Sequence, residues 1–133
     1  FQKEEAERIL SKPHSKNYSK LSVITQYSCD IKKIMNIKSN VFFPKPDVDS
    51  CLLTFKPKHK INKQEFSNIK KITKLAFEKR RKTLKNSLSK IQGISEYLIS
   101  LDINPSLRAE NLSISQYTKL AALLKKKTNL ELL

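Results

Sequence analysis

Glycine is the residue this sequence lacks most: Gly93 is the only one among 133 residues. A loop that cradles a phosphate or a nucleotide needs several glycines, because its backbone must turn tightly and approach the ligand closely. The chain cannot build such a loop from its own residues. If it is part of a nucleotide-dependent enzyme, we expect that loop upstream of Phe1, where the sequence opens directly into a helical pattern.

Cysteine and histidine are also scarce, with two of each in the chain. Cys29 and Cys51 form no Cys-x-x-Cys pair, and His14 and His59 stand alone, so no metal site is predicted. We expect both cysteines to be reduced and buried, as in a cytoplasmic protein. No apolar run reaches the 18 residues or so that a membrane span requires, so no span is predicted either.

Acidic side chains are few beside the basic ones: 12 Asp and Glu stand against 27 Lys and Arg, for a formal net charge of +15. Positions 58–90 hold twelve basic and two acidic side chains, so most of the excess lies in a quarter of the chain. This balance favours a polyanionic partner, either nucleic acid or an anionic membrane surface. Codon usage is an alternative source of a general lysine excess, but it does not produce clustering.

Two helices and a β-hairpin are predicted before position 57. A short helix over 2–10 precedes a second helix that begins after an N-cap at Ser19 and carries its apolar side chains on one face: Leu21, Ile24 and Tyr27. Residues 29–37 and 48–55 have the composition and alternation of strands. The loop between them holds two prolines, which cannot donate ladder hydrogen bonds, so we expect an antiparallel hairpin with a long, stiff loop.

Everything after the basic linker at 56–60 is predicted to be helical, which suggests a division into residues 1–57 and 58–133. Two apolar stripes follow the linker: Phe66, Ile69, Ile72, Leu75 and Ala76, then Leu84, Leu88 and Ile91. The second stripe is rotated from the first by roughly 100°, so one straight helix cannot bury both, and a break is expected near Lys79–Lys82.

Two further signals concern helix ends in this half of the chain. Gly93 suits the C-terminal end of a helix, where a left-handed residue is common. Ser113 and Gln116 have the spacing of a capping box, which predicts the start of the last helix.

The loop between the strands carries adjacent aromatic residues beside two prolines: Phe42, Phe43, Pro44 and Pro46. On residue type alone, the favoured interpretation is that both rings pack against the edge of the sheet. The alternative is that one ring faces outward and stacks on an extruded nucleic-acid base, since stacking replaces the energy lost from the base stack.

A second motif lies at the predicted helix break. Consecutive cations repel one another, and guanidinium and ammonium groups both suit phosphate oxygens, so we predict contact with RNA or DNA there. The predicted contact residues are Lys74, Lys79, Arg80, Arg81, Lys82, Lys85 and Asn86. The alternative is a solvated basic surface. Arg108 and Glu110 flank a helix start and are interpreted as structural.

Five collinear groups of residues resemble the C-terminal third to half of the ribosomal RNA adenine N6-dimethyltransferases. They are Gln2–Glu4 with Ala6–Ile9, Leu21–Val23 with Gln26 and Tyr27, Phe42–Pro44 with Pro46 and Val48–Ser50, Ala76 and Phe77 with Arg80–Leu84 and Asn86, and Arg108–Glu110 with Leu112 and Ser113. The resemblance covers nearly the whole chain.

The resemblance implies an α+β fragment of a longer enzyme. Residues 1–57 would supply the terminal antiparallel hairpin and helices of a Rossmann-like methyltransferase domain, and residues 58–133 a small all-α RNA-binding domain. S-adenosylmethionine would be bound by the missing N-terminal part, which also holds the catalytic segment, so no catalytic residue is assigned here and the fragment alone is expected to be inactive. In this family the first aromatic of the loop, Phe42 here, is thought to help hold the target adenine, which favours the stacking interpretation.

Two departures from the family pattern stand out. Asp47 lies where a basic residue is more usual, so the loop is expected to touch phosphate less. His14 and Ser19 lie where glycine is common, so the turn between the first two helices is expected to differ.

The branch that fits best dimethylates two adjacent adenines in the 3′-terminal hairpin of small-subunit rRNA during ribosome assembly. The expected partner is that RNA within the pre-ribosomal small subunit, with a monomeric, cytoplasmic enzyme and no membrane contact. Two alternatives are a large-subunit rRNA adenine methyltransferase of the resistance type and a non-catalytic basic helical module that binds nucleic acid.

Overall fold

The computed structural model describes residues 1–127, and residues 128–133 of the predicted helical region lie outside the described part. The fold is α+β, with one two-stranded antiparallel sheet. Helices come before and after this sheet in the sequence. The helices and strands are α1 (Lys3–Leu10), α2 (Lys20–Ser28), β1 (Cys29–Ile37), β2 (Ser50–Pro57), α3 (Lys63–Glu78), α4 (Leu84–Ser87), α5 (Ile94–Ser100) and α6 (Ile114–Lys127).

The predicted hairpin is confirmed. Strand β1 has the predicted bounds and pairs with β2 from Cys29 opposite Pro57 to Ile37 opposite Ser50. A register shift between Lys33 and Met35 marks a bulge, which breaks the strict alternation of the strand. Strand β2 begins two residues later than predicted because Val48 and Asp49 remain in the loop.

The buried face of α2 differs from the predicted one. Ser22 and Val23 are buried, whereas Leu21 is 37% exposed and Ile24 and Tyr27 are only half-buried. Helix α2 is packed by α1 on one side and by α3 and α6 on the other, so its burial does not follow one apolar stripe. Burial of Ser22 is compensated, because its hydroxyl donates to the carbonyl of Arg8.

The main hydrophobic core spans the predicted boundary at position 57. Tyr18 and Val23 are fully buried in the same cluster as Ile72, Leu88 and Leu120 from the helices after the linker. A second, much smaller cluster joins α1 to the hairpin: Ala6, Ile9, Cys51 and Leu53. Helix α2 therefore packs with the later helices more than with the hairpin. The division into two domains stays a prediction.

The helix break is where the two stripes predicted it. Helix α3 ends at Glu78, residues 79–82 form a turn and a bend, and α4 begins at Leu84. The prediction that Gly93 ends a helix is wrong: α4 already ends at Ser87, and Gly93 directly precedes α5. Glycine is still needed, because φ there is +76°, in the left-handed region that side chains disfavour.

The capping box at the start of α6 is confirmed. The Ser113 N–H donates to Gln116 Oε1 at 2.9 Å, and the Gln116 N–H donates to Ser113 Oγ at 3.1 Å. The helix buries Tyr117, Ala121 and Leu124 against the main core. Both cysteines are free thiols; Cys51 is buried as predicted, but Cys29 is only half-buried.

Candidate nucleic-acid interface

The aromatic loop connects the two strands and is held at its base. A short 3-10 turn at Ser39–Val41 opens it. The Ser39 N–H donates to Asp49 Oδ1 at 2.9 Å, and the Asp49 carbonyl accepts the Lys3 N–H at 3.0 Å. These bonds tie both ends of the loop to each other and to the first turn of α1.

Neither aromatic ring of the loop is buried in this chain. Phe43 is fully exposed and Phe42 is 42% exposed, with Pro44 exposed and Pro46 half-buried beside them. The favoured interpretation from residue type alone, two rings packed against the sheet edge, therefore does not describe these side chains. Both remain accessible to a planar group such as a nucleic-acid base. The assignment of a base contact to these residues stays a prediction.

The basic cluster extends from the last turns of α3 through the break into α4. All but one of its members have exposed side chains: Lys74, Lys79, Arg81, Lys82, Lys85 and Asn86. Lys74 belongs to α3, whereas Lys85 and Asn86 belong to α4. The break between the two helices therefore brings together side chains from both. An exposed group of this sign suits phosphate oxygens, and its contact with RNA stays a prediction.

Arg80 is the exception. Its guanidinium donates to the carbonyl of Tyr18 at 2.8 Å and to that of Lys16 at 2.8 Å, with a longer bond to the carbonyl of Ser15 at 3.3 Å. It also forms an ion pair with Glu110 Oε2 at 3.4 Å. A planar fork of donors is well matched to several carbonyls at once. Arg80 therefore ties the turn before α2 to the end of α3.

The contacts of Arg108 and Glu110 agree with their interpretation as structural residues. Glu110 is the carboxylate partner of Arg80, and its carbonyl accepts the His14 N–H at 2.8 Å. Arg108 pairs with Thr83 in an isolated antiparallel bridge, which fixes the start of α4. Both contacts join segments that are distant in the sequence.

The two departures from the family pattern have different structural outcomes. His14 has φ of +73°, in the left-handed region where glycine is least strained, which explains a preference for glycine at this position. Ser19 has φ of −150° in extended backbone, so no conformational need for glycine exists there. The Asn111 side-chain nitrogen lies 3.1 Å from His14 Nδ1 and helps to hold the turn.

Three tyrosines in this part of the molecule have raised pKa values. Burial raises the pKa of Tyr27 to about 12. The Glu65 carboxylate, which accepts a hydrogen bond from the Tyr27 hydroxyl at 2.8 Å, raises this pKa as well. Burial also raises the pKa of Tyr18 and of Tyr117, whose hydroxyls donate to the carbonyls of Leu112 and Ala109. All three stay protonated and serve as structural donors.

Arg8, Lys16 and Lys20 belong to no motif recognisable in the sequence, yet they meet in the folded chain. Together with Arg80 they line a groove between α1, α2 and the end of α3. The only signal in the sequence was the spacing of Lys16 and Lys20 across the N-cap of α2, and it does not reveal that α3 closes the groove.

Residues 1–127 offer no cluster of three or more His, Cys, Asp or Glu side chains suited to a metal ion. Within the same residues, every helix is too short or too polar to cross a bilayer.

The residues of this chain do not fit an S-adenosylmethionine site. A nucleotide cofactor needs a glycine-rich turn that opens a helix after a strand. The single glycine of the chain follows turns and opens the seven-residue helix α5, and no strand leads directly into it. No chemical step is therefore derived for the cofactor from these residues.

Residues 1–126 match the family described as "Ribosomal RNA adenine dimethylase". The chain is 47% identical over 132 residues to the ribosomal RNA small subunit methyltransferase A of Buchnera aphidicola subsp. Acyrthosiphon pisum, covering 97% of this chain and 48% of that protein. It is 44% identical over 125 residues to the protein of the same name from Francisella tularensis subsp. novicida, covering 91% of this chain and 47% of that protein. The chain thus spans about half the length of the curated relatives it matches.

Two solved structures have a similar fold. A dimethyladenosine transferase from Plasmodium falciparum superimposes with a TM-score of 0.81 at 27% identity, covering 96% of this chain and 56% of that one. The 23S rRNA methyltransferase ErmE superimposes with a TM-score of 0.64 at 16% identity, covering 94% of this chain and 52% of that one. At 16% identity the second likeness concerns the fold alone.

Proposed function

Because this chain belongs to the ribosomal RNA adenine dimethylase family, we propose that it is the C-terminal part of an S-adenosylmethionine-dependent rRNA (adenine-N6,N6)-dimethyltransferase. Its substrate would be two adjacent adenines in the 3′-terminal hairpin of small-subunit rRNA, modified within the assembling subunit. The enzyme would act as a cytoplasmic monomer.

The observation that carries this proposal is the match to small-subunit enzymes. Relatives named ribosomal RNA small subunit methyltransferase A are 40–47% identical over more than nine-tenths of this chain. The large-subunit enzyme ErmE has the fold at much lower identity. Substrate choice depends on contacts made by surface side chains, so the higher overall identity to the small-subunit enzymes favours the small-subunit hairpin.

In the proposed enzyme, the loop from Phe42 to Pro46 holds the target adenine. An adenine must leave the base stack before its exocyclic amine can be methylated, and an aromatic face compensates for the lost stacking. Phe42 and Phe43 are both accessible for that contact. The bonds from Ser39 and Lys3 to Asp49 hold the base of the loop against α1, which keeps both rings at this end of the hairpin.

The exposed members of the basic cluster would bind RNA phosphates. Lys79, Arg81 and Lys82 lie exposed in the turn, where their charges are open to RNA phosphates. Arg80 has a different proposed role: with its donors committed to carbonyls, it holds the turn in place while its neighbours contact the RNA.

The cofactor would be bound outside this chain. S-adenosylmethionine supplies the methyl group, and the chain supplies RNA binding and orientation of the base. The chain alone is therefore expected neither to bind the cofactor nor to methylate RNA.

The test is a methylation assay with the full-length protein that carries this chain. Small-subunit rRNA assembled with its early proteins, and large-subunit rRNA, are incubated with S-adenosylmethionine, digested and analysed by mass spectrometry. We expect N6,N6-dimethyladenosine at two adjacent positions of the small-subunit hairpin. Modification of large-subunit rRNA alone, or of neither RNA, would contradict the proposal.

A further inference from the structure

A groove of about 710 Å³ opens between α1, α2 and the C-terminal end of α3. It lies apart from the aromatic loop, and its walls combine basic, neutral polar and apolar side chains with one carboxylate, that of Glu4. Arg8, Lys16, Lys20 and Arg80 supply positive charge, and Leu21 and Phe77 supply an apolar floor.

The cations of the groove are not equally available. Arg8 pairs with Glu4 at 3.0 Å, and Arg80 is committed to carbonyls and to Glu110. Lys16 and Lys20 have no ion-pair partner within residues 1–127. Lys16 is exposed and Lys20 half-buried, so both ammonium groups are free to meet an anion.

Two further features favour an anion in this groove. Helix α2 begins at Lys20, and the partial positive charge of its N-terminus adds to that of the side chains. The groove also ends at Arg80, whose neighbours Lys79, Arg81 and Lys82 are exposed. The groove therefore borders the exposed cations of the helix break.

We propose that this groove takes the sugar–phosphate backbone of the RNA substrate, with Lys16 and Lys20 on the phosphates and the apolar floor against a ribose or base. The inference rests on the proposed function and extends the RNA contact from α3 and α4 to the turn before α2. A single RNA strand carries charge on its phosphates and presents apolar base faces. Ammonium groups beside an apolar surface, as in this groove, suit both parts of such a strand. An acidic protein segment is the competing occupant.

The test compares K16A/K20A with wild type in the full-length protein. Binding to a synthetic RNA of the small-subunit 3′-terminal hairpin is measured by fluorescence anisotropy from low to moderate salt. The loss of two phosphate contacts should lower the slope of log K against log salt by about 1.4–1.8, since each contact contributes about 0.7–0.9. K16R/K20R keeps both charges and should keep the slope.

K63A/K119A is the matched control. It removes the same charge from two exposed lysines. Lys63 opens α3, about 24 Å along the 16-residue helix from the groove, and Lys119 lies beside Lys60 and Glu65 at that same end. The control should shift the slope much less than K16A/K20A does.

Three results would overturn the proposal. If wild type methylates the hairpin but K16A/K20A has an unchanged slope, the groove does not hold phosphate, although the proposed function stands. If K16A/K20A binds naked RNA normally but binds intact small subunits less tightly, an acidic ribosomal protein occupies the groove. If wild type neither binds nor methylates the hairpin, the proposed function and the groove assignment both fail.

Discussion

The hairpin and the helices after it differ in how much of their apolar surface they bury. The cluster between the hairpin and α1 has four buried members, whereas Ile34, Met35, Leu52 and Phe55 on the strands are exposed by more than a third. The helical region closes around an extensive core in which Leu84, Leu88 and Leu120 have no exposed surface. A two-stranded hairpin is marginal by itself. Stability thus resides in the helices, and the hairpin mainly presents a loop.

The comparison also shows which element joins the two regions. Tyr18 and Val23 come from the first half of the chain but are buried with the helices. Arg80 reinforces the same junction with its bonds to the carbonyls of Tyr18 and Lys16. The turn before α2 and the helical region therefore form one packed unit, and the strands are the looser part.

A pair of leucine truncations tests this contrast with the largest expected effect. Leu120→Ala leaves a cavity in the helical core and should lower the free energy of unfolding by about 2–5 kcal/mol. Leu52→Ala, at a side chain that is 46% exposed, should cost far less. Urea unfolding followed by far-ultraviolet circular dichroism measures both. Equal losses would mean that the hairpin is as tightly packed as the helices.

Neighbouring arginines test whether the junction is structural. Arg80→Ala removes charged hydrogen bonds to carbonyls and should lower the stability by about 1.5–3 kcal/mol. Arg81→Ala should leave the stability unchanged and instead reduce the salt dependence of RNA binding by about 0.7–0.9 in slope. Arg80→Lys should not restore the stability, because an ammonium cannot reproduce the fork. The reverse pattern in thermal melts and binding titrations would make Arg80 a phosphate ligand.

Phe42 tests whether the hairpin contributes to activity rather than stability. If its ring stacks on the extruded adenine, Phe42→Ala should lower kcat/KM roughly five- to 150-fold, since stacking is worth about 1–3 kcal/mol per base. RNA affinity should change little, and Phe42→Tyr should keep most of the activity.

Single-turnover methylation and thermal unfolding of the same full-length variant provide the measurement for Phe42. Phe43→Ala tests the neighbouring ring in the same way, because Phe43 is even more exposed. A large drop in melting temperature with normal turnover of the folded fraction would rule out stacking and make Phe42 a packing residue. A loss of activity confined to Phe43→Ala would assign the base contact to that ring.

His14 gives the smallest effect and sharpens the account of the junction. Its left-handed backbone costs about 1–2 kcal/mol, so His14→Gly should raise the stability by up to about 1 kcal/mol once the extra entropy of glycine in the unfolded chain, about 0.5–1 kcal/mol, is subtracted. His14→Ala keeps the strain and loses the contact with Asn111, so it should destabilise slightly. Differential scanning calorimetry separates the two. A melting temperature that falls in His14→Gly would show that the imidazole contact outweighs the strain.

Local features were largely predictable. The bounds of β1, the break after Glu78 and the capping box of Ser113 each follow from short-range pattern or chemistry. The errors occurred where one element meets several others. Helix α2 buries Ser22 rather than Leu21, because α1, α3 and α6 surround it and hydrogen bonds compensate the polar burial.

The candidate site divides in the same way. The loop from Phe42 to Pro46 and the cluster from Lys79 to Asn86 were visible as unusual runs of residues. The separate role of Arg80 was not, because it looks like its neighbours in sequence and differs only in its partners, which lie up to 65 positions away. The groove at Lys16 and Lys20 was missed for the same reason.

By itself, the sequence determined the secondary structure, the positive charge and the family, since these depend on residue type and on spacings of a few positions. Only the tertiary structure decided which cation is held and which are free, where the core crosses the middle of the chain, and which surfaces meet in a groove. Those properties arise from contacts between distant segments, and no local pattern of residues encodes a partner 60 positions away.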